Sequence, residues 1–117
     1  MEIKDRVLIV EDDKNIRKFI QTILEANDYD VIATETGKEA YSLITSRCPD
    51  VVILDLGLPD MDGMKILKEV RAWSNMPIIV VSARDHEKDK VEALDMGADD
   101  YITKPFSKEQ IKEKLDN

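Results

Sequence analysis

Residues 7–13 read VLIVEDD and residues 51–55 read VVILD, so two apolar runs each end in carboxylates. Runs that are apolar at every position are typical of strands buried on both faces of a parallel sheet. If these two strands are parallel neighbours, Glu11, Asp12 and Asp55 meet at one edge of the sheet. Crowded carboxylates repel one another, and a hard divalent cation relieves the repulsion. The pattern therefore predicts a site for Mg²⁺, with Mn²⁺ as an alternative.

Two further strand ends carry reactive groups. The apolar run 78–81 ends in Ser82, and a later short segment ends in Lys104-Pro105. Carboxylates, a hydroxyl and a lysine at successive strand ends are the groups that handle a phosphoryl group. Each residue alone has an ordinary explanation as a turn or surface residue, and only their shared position at strand ends favours chemistry.

The rest of the chain alternates strands with amphipathic helices. Helix starts are indicated by the N-cap residues Asp13, Thr36, Asp62 and Ser107. Strands are predicted over 6–10, 30–34, 51–55, 78–82 and 100–103. The fourth helix, near 87–96, has Val91 and Leu94 as its apolar residues and Gly97 as its end signal. The fifth is predicted over 107–117.

Strict alternation predicts a doubly wound α/β fold with helices on both faces of a parallel sheet. The second and fifth strands are less apolar than the others, as edge strands are, which favours the strand order 2-1-3-4-5. In that order the first and third strands flank the topological switch point, where open α/β sheets bind ligands. Glu11, Asp12 and Asp55 follow these two strands.

Length and composition indicate a single domain over 1–117, of which 43% is hydrophobic. The formal net charge is −8, which argues against binding nucleic acid through this domain's own charge. One cysteine, Cys48, excludes an internal disulfide, and no apolar run is long enough to span a membrane. We expect a cytoplasmic protein. The last helix has no glycine cap, which favours one domain of a longer polypeptide.

Four motifs in this order resemble the receiver domain of two-component response regulators. They are Glu11-Asp12-Asp13, the stretch DLGLPDMDG over 55–63, Ser82-Ala83 and Lys104-Pro105-Phe106. The resemblance covers about 7–115 and implies the flavodoxin-like (βα)5 receiver fold. Residues 97–101, GADDY, are similar to the subfamily whose receivers precede a winged-helix DNA-binding domain. Residues 55–60, 71–74 and 82–84 are similar to regulators of potassium-uptake genes.

The resemblance assigns roles to the strand-end residues. It implies that Asp55 accepts a phosphoryl group from a sensor histidine kinase, and that Ser82 and Lys104 contact that group. It implies that Mg²⁺ is held by an acidic set and one backbone carbonyl, namely Glu11, Asp12, Asp55 and the carbonyl of Gly57. The peptide bond before Pro105 would be cis.

The resemblance leaves two readings of Tyr101 open. It matches the family's aromatic switch residue, and it also fits an ordinary half-buried aromatic of an edge strand. The sequence does not decide between them.

The resemblance also implies a homodimer, formed on phosphorylation through helix 4, strand 5 and helix 5. The charged residues of that face are Lys90, Asp95, Asp99, Asp100 and Lys114. Such a mixture of charges is also typical of a plain solvated surface. Gln110 stands where the family more often has an acid, so we expect a weaker dimer than usual. DNA would be contacted only through a C-terminal domain that these 117 residues do not include.

Three other functions fit parts of the pattern. A Mg²⁺-dependent aspartyl phosphatase typically has a second Asp two residues after its nucleophile, where this chain has Gly57. A flavodoxin-type flavin carrier would need hydroxyls and glycine amides after the first strand, where this chain has three acids. A docking-only pseudo-receiver would not need the intact acceptor set. We therefore expect that this chain is not an enzyme, except that it catalyses its own phosphorylation and dephosphorylation.

Overall fold

The computed structural model describes residues 5–116, in which five strands alternate with five helices. The elements are β1 (Arg6–Val10), α1 (Lys14–Ala26), β2 (Asp30–Thr34), α2 (Gly37–Arg47), β3 (Val51–Leu54), α3 (Gly63–Arg71), β4 (Ile78–Ser82), α4 (Glu87–Asp95), β5 (Asp100–Thr103) and α5 (Lys108–Asp116). The alternation predicted from the sequence is confirmed. The prediction for the end of the last helix reached Asn117, which lies outside the described residues.

The strands form one parallel sheet in the order β2-β1-β3-β4-β5, as predicted. In the register of β1 and β3, Val10 lies beside Leu54. The residues that follow, Glu11 and Asp55, therefore leave the sheet side by side. The Asp55 amide continues the ladder by donating to the Val10 carbonyl at 2.9 Å.

Two apolar layers bury the sheet. One face packs against α2, α3 and α4, through residues such as Leu8, Leu54 and Leu67. The other face packs against α1 and α5, through residues such as Ile9 and Ile20. Because successive strand residues point to opposite faces, both layers need apolar side chains. This explains why β1, β3 and β4 are apolar at nearly every position.

Local hydrogen bonds define the helix starts as predicted. The side chains of Asp13, Thr36 and Asp62 each accept a hydrogen bond from an amide in the first turn of α1, α2 and α3. At α5 the bonding is reciprocal: the Gln110 amide donates to Ser107 Oγ at 3.3 Å, and the Ser107 amide donates to Gln110 Oε1 at 2.8 Å. These caps satisfy amides that have no partner inside the helix.

Helix α4 packs differently from the other helices. Val91 and Leu94, its large apolar residues, are 46% and 45% exposed, while the small Ala93 is buried against the core. The helix ends as predicted, with Gly97 at a positive φ of 113°. Within residues 5–116, no helix combines the length and apolar content that crossing a membrane requires.

Two glycines after β3 tolerate a side chain very differently. A Cβ on Gly63 would lie 2.5 Å from the Asp55 carbonyl oxygen and 2.8 Å from Leu56 Cα, both of which are backbone atoms. A Cβ on Gly57 would meet its nearest atom, Asp55 Oδ1, at 4.0 Å. Only the first substitution forces the backbone to move.

We predict that Gly63→Ala lowers the free energy of unfolding by about 1–3 kcal/mol because of this overlap. Gly57→Ala, the matched control, should change it by less than about 0.5 kcal/mol. Urea denaturation of both variants and the wild type measures the difference. Equal denaturation midpoints for the two variants would contradict the prediction.

Candidate functional site

Three carboxylates converge beyond the ends of β1 and β3. One oxygen each from Glu11, Asp12 and Asp55 lies within 4.8 Å of the other two. Glu11 and Asp55 are buried, at 2% and 5% exposure, and Asp12 is exposed. The parallel register of β1 and β3 produces this cluster, as the sequence predicted. The cluster combines two carboxylates of restricted hydration with one that is open to solvent.

Lys104 provides the positive charge beside this cluster. Its Nζ lies 2.6 Å from Glu11 Oε1 and 3.3 Å from Asp55 Oδ2. The contact with Asp55 is a hydrogen bond, whereas Glu11 Oε1 has no well-directed hydrogen bond despite its closeness to Nζ. The Lys104–Pro105 peptide bond is cis, as the family resemblance implied. The Lys104 ammonium therefore lies beside both buried carboxylates, those of Glu11 and Asp55.

Burial and neighbouring charges change the acidity of the site. Burial raises the pKa of Glu11 to about 7, and the neighbouring Asp55 charge adds to the rise, although Lys104 and the Asp13 amide oppose it. Burial by itself lowers the pKa of Lys104, but its close contact with Glu11 and the charges of Asp55 and Glu11 raise it overall. Carboxylates in this state gain from additional positive charge.

A cavity of about 270 Å³ opens onto the cluster. It is bordered by Asp12, Asp55, Gly57, Ser82 and Lys104, among others. The Gly57 amide donates to Asp55 Oδ1 at 3.1 Å, which holds the Asp55 carboxylate against the following loop. The residues predicted for phosphoryl and metal contacts thus line one space that reaches solvent.

The donor set fits a hard divalent cation. The cluster offers only carboxylate oxygens, two of them in a buried setting that raises the cost of their charge. Mg²⁺ prefers one or two carboxylates together with water and phosphate oxygens. The sequence-based expectation of an acidic cluster suited to Mg²⁺ is confirmed at the level of the residues that it brings together.

Ser82 connects the site to the neighbouring loop. Its side chain is 1% exposed, and its Oγ accepts a hydrogen bond from the Arg84 amide at 3.1 Å. The Tyr101 hydroxyl donates to the Arg84 carbonyl at 2.7 Å. Tyr101 is half-buried, and this burial raises the pKa of its hydroxyl. Two hydrogen bonds, both to the Arg84 backbone, thus connect Tyr101 to Ser82. The two interpretations of Tyr101, as a switch residue and as an ordinary edge-strand aromatic, both remain predictions.

The charged residues of the predicted dimer face differ in the contacts that they make. Asp100 pairs with Lys114 at 3.0 Å, and Lys90 and Asp95 lie on α4. Asp99 instead accepts hydrogen bonds from outside that face. Its Oδ2 lies 2.9 Å from Arg71 Nη2 and 2.8 Å from the Ile78 amide, so it joins the end of α3 to the start of β4.

Sequence reasoning missed two contacts around the site. Asp60 accepts hydrogen bonds from the Gly37 amide at 2.8 Å and the Lys38 amide at 3.0 Å. Arg84 forms an ion pair with Asp62, with Nη2 3.3 Å from Oδ1. No local sequence pattern indicates the Asp60 contacts, because Asp60 is 23 residues from Gly37 and 22 residues from Lys38. For Arg84 the only signal is its position two residues after Ser82.

The fold and the acidic cavity define a receiver domain, and the chain belongs to the response regulator receiver domain family, whose model matches residues 7–116. Among characterised relatives, the KDP operon transcriptional regulatory protein KdpE of Escherichia coli (strain K12) is 48% identical over 109 residues. The transcriptional regulatory protein KdpE of Mycobacterium tuberculosis (strain H37Rv) is 46% identical over the same length. Each alignment covers 93% of this chain and 48% of the relative, so the chain spans about half the length of these proteins.

Solved structures agree with this assignment. The receiver domain of Francisella response regulator 1452 matches with a TM-score of 0.92 at 39% identity, covering 97% of this chain and 94% of the other. The BeF3-activated N-terminal receiver domain of Klebsiella pneumoniae RstA matches with a TM-score of 0.91 at 31% identity, covering 96% of each chain. The resemblance to receivers and to potassium regulators stated from the motifs is confirmed.

The raised pKa of Glu11 predicts a pH dependence of stability. Between pH 4.5 and about 7, folded Glu11 holds a proton that the unfolded chain releases. The wild type should therefore lose stability as the pH rises through this window, relative to Glu11→Gln, which is neutral throughout. The loss should reach up to about 3 kcal/mol at neutral pH. Urea denaturation of both proteins at several pH values, without divalent cations, measures it; a pH-independent difference would exclude this assignment.

Proposed function

We propose that this chain is the phospho-acceptor switch of a two-component system, with Asp55 as the acceptor and a sensor histidine kinase as the donor. The observation that carries this proposal is the setting of the Asp55 carboxylate. It is buried, lies 3.3 Å from Lys104 Nζ, belongs to a three-carboxylate cluster, and borders a cavity that reaches solvent. Asp12, the exposed aspartate of the cluster, forms no ion pair with Lys104 among the described residues.

In the proposed reaction an Asp55 oxygen attacks the phosphorus of the kinase phosphohistidine. A P–O bond forms as the P–N bond breaks, and the imidazole nitrogen leaves with the electron pair of that bond. Mg²⁺, which Glu11, Asp12, Asp55 and the Gly57 carbonyl would hold, supplies positive charge for the phosphoryl oxygens. The Gly57 amide, bonded to Asp55 Oδ1, orients the acceptor.

The product adds about −1.5 to −2 charges at pH 7. The Lys104 ammonium, which lies between Glu11 and Asp55, can donate to the new oxygens. The Ser82 hydroxyl can do the same, and its displacement would release the Arg84 amide. Because Tyr101 is bonded to the Arg84 carbonyl, the change reaches β5. We propose that this movement is the signal.

The whole protein, we propose, is a cytoplasmic transcriptional regulator in which this receiver controls a C-terminal DNA-binding domain. The similarity to KdpE of Escherichia coli supports regulation of potassium-uptake genes. The net charge of −8 supports a division of labour in which DNA binds to another domain. Chemistry would be limited to the chain's own phosphorylation and dephosphorylation. The absence of a side chain at Gly57 argues against a phosphatase, which needs a general acid there.

Phosphorylation should be stoichiometric and specific to one side chain. After incubation with acetyl phosphate and Mg²⁺, we predict one phosphoryl group per chain by intact mass, and none when Mg²⁺ is removed or in Asp55→Asn. Asp85→Asn, which alters an exposed aspartate of the loop after β4, is the matched control and should be phosphorylated like the wild type. A folded wild type that forms no adduct with Mg²⁺ present would favour a docking-only pseudo-receiver.

We also propose a phosphorylation-dependent homodimer through α4, β5 and α5. Two observations support it: Val91 and Leu94 are exposed on α4, and Asp100 and Lys114 carry an ion pair that a second copy could exchange. Gln110 offers no charge to this face, so we expect the dimer to be weak.

Reversing one charge of this face should weaken the dimer. We predict that Lys114→Glu raises the dimer dissociation constant of the phosphorylated form by about tenfold, because it places like charges opposite Asp100. Lys68→Glu, the same change on the exposed surface of α3, should have no effect. Sedimentation velocity measures both variants. A complete wild-type dimer at low micromolar concentration would refute the expectation of a weak one.

A further inference from the structure

The loop that follows the acceptor is closed at its base. We call residues 55–62 the acceptor loop. Gly57 and Asp62 pair as an antiparallel bridge, and the Gly63 amide donates to the Leu56 carbonyl at 2.8 Å. These bonds hold the two ends of the loop together. They leave residues 58–61 as a tip, and the position of that tip must be set by other contacts.

The tip is attached to the start of α2. Asp60 Oδ1 accepts from the Gly37 amide at 2.8 Å, and Asp60 Oδ2 accepts from the Lys38 amide at 3.0 Å. Amides in the first turn of a helix have no partner inside it, and a carboxylate there also meets the positive end of the helix dipole. The two amides are the main reason that the pKa of Asp60 lies below its usual range. Asp60 therefore stays charged and bonded at neutral pH.

A close approach between Met61 and Gly37 supports the same attachment. A Cβ on Gly37 would lie 2.6 Å from Met61 Cγ and 2.8 Å from Met61 Sδ. A larger residue at this position would displace the Met61 side chain from the start of the helix. Two successive tip residues thus contact the start of α2, one by hydrogen bonds and one by packing.

The acceptor loop also borders the cavity, at its base, through Gly57. Gly57 borders the cavity, its amide is bonded to Asp55 Oδ1, and it pairs with Asp62 across the loop. A tip that moves away from α2 would carry this pairing with it. The carbonyl and amide of Gly57 would then lose their fixed relation to the acceptor carboxylate.

We propose that Asp60 is a positioning residue for the metal site: by holding the acceptor loop to α2, it fixes Gly57 against Asp55 and so sets the affinity for Mg²⁺. This inference rests on the proposed function, since it takes the Gly57 carbonyl as a ligand. Groups that orient metal ligands without touching the metal typically change metal affinity by 10–100-fold. We expect Asp60→Ala to weaken Mg²⁺ binding by about tenfold.

Helix α2 supplies a matched control. Thr36 Oγ1 accepts from the Glu39 amide at 3.2 Å, so Thr36→Ala also removes a first-turn bond of α2 but leaves the acceptor loop untouched. Both variants weaken the helix start, and only Asp60→Ala frees the loop tip. Asp60→Asn keeps one acceptor oxygen in place and should recover part of the affinity. Thermal denaturation confirms that each variant is folded.

The test is calorimetric titration with MgCl₂ alone, without a phosphodonor, on the wild type and the three variants. A second readout, in the metal-free protein, is hydrogen exchange of the Gly57 amide. We expect Asp60→Ala to bind Mg²⁺ about tenfold more weakly and to exchange faster at Gly57, with Thr36→Ala resembling the wild type in both.

Three results would overturn the inference in distinguishable ways. Wild-type affinity together with wild-type Gly57 exchange in Asp60→Ala would remove the positioning role and leave the proposed function intact. Equal weakening by Thr36→Ala and Asp60→Ala would assign the effect to α2 as a whole. If Asp60→Ala does not fold, Asp60→Asn, which keeps one acceptor oxygen, should show a smaller loss of Mg²⁺ affinity in the same direction. A wild type that binds no Mg²⁺ would overturn the proposed function as well.

Discussion

The repulsion between buried carboxylates beyond β1 and β3 is the constraint on which the rest of the structure depends. Glu11 and Asp55 are almost fully buried, and one ammonium, that of Lys104, lies near both. Leaving buried charges uncompensated is costly, so the fold can keep this arrangement only with Lys104 in place and with room for further positive charge. The cavity beside Asp12 provides that room. The cluster and its cavity therefore suit the binding of a divalent cation.

The packing is uneven across the domain: the segments around Asp55 are held by several contacts, whereas α4 is packed more loosely. The register of β1 and β3 sets the cluster, and Asp60 ties the following loop to α2. On the same face of the sheet, α4 contributes only Ala93 to the buried core and exposes Val91 and Leu94. A weakly packed element is the one that can shift at low cost. The distribution of packing thus suits a domain that senses at one edge and responds at another.

A short chain of hydrogen bonds joins these two regions. Ser82 Oγ holds the Arg84 amide, and the Arg84 carbonyl holds the Tyr101 hydroxyl. Each contact uses a backbone group of the loop that leads into α4, so a change at Ser82 bears on the loop itself. The ion pair of Arg84 with Asp62 connects the same loop to the segment after the acceptor. The loop after β4 is therefore connected both to β5 and to the segment that follows Asp55.

The sequence by itself determined the strand order, the helix caps and the convergence of Glu11, Asp12 and Asp55. Periodicity, capping residues and strand ends are local patterns, and their consequences follow from the geometry of a parallel sheet. It did not indicate that Asp60 bonds α2 or that Asp99 bonds Arg71, and it did not indicate that the large apolar residues of α4 are exposed. These features depend on which surfaces meet once the layers pack. Asp60 and Asp99 are distant in sequence from their partners, and no strand-end pattern relates the two, so the tertiary structure alone decided these contacts.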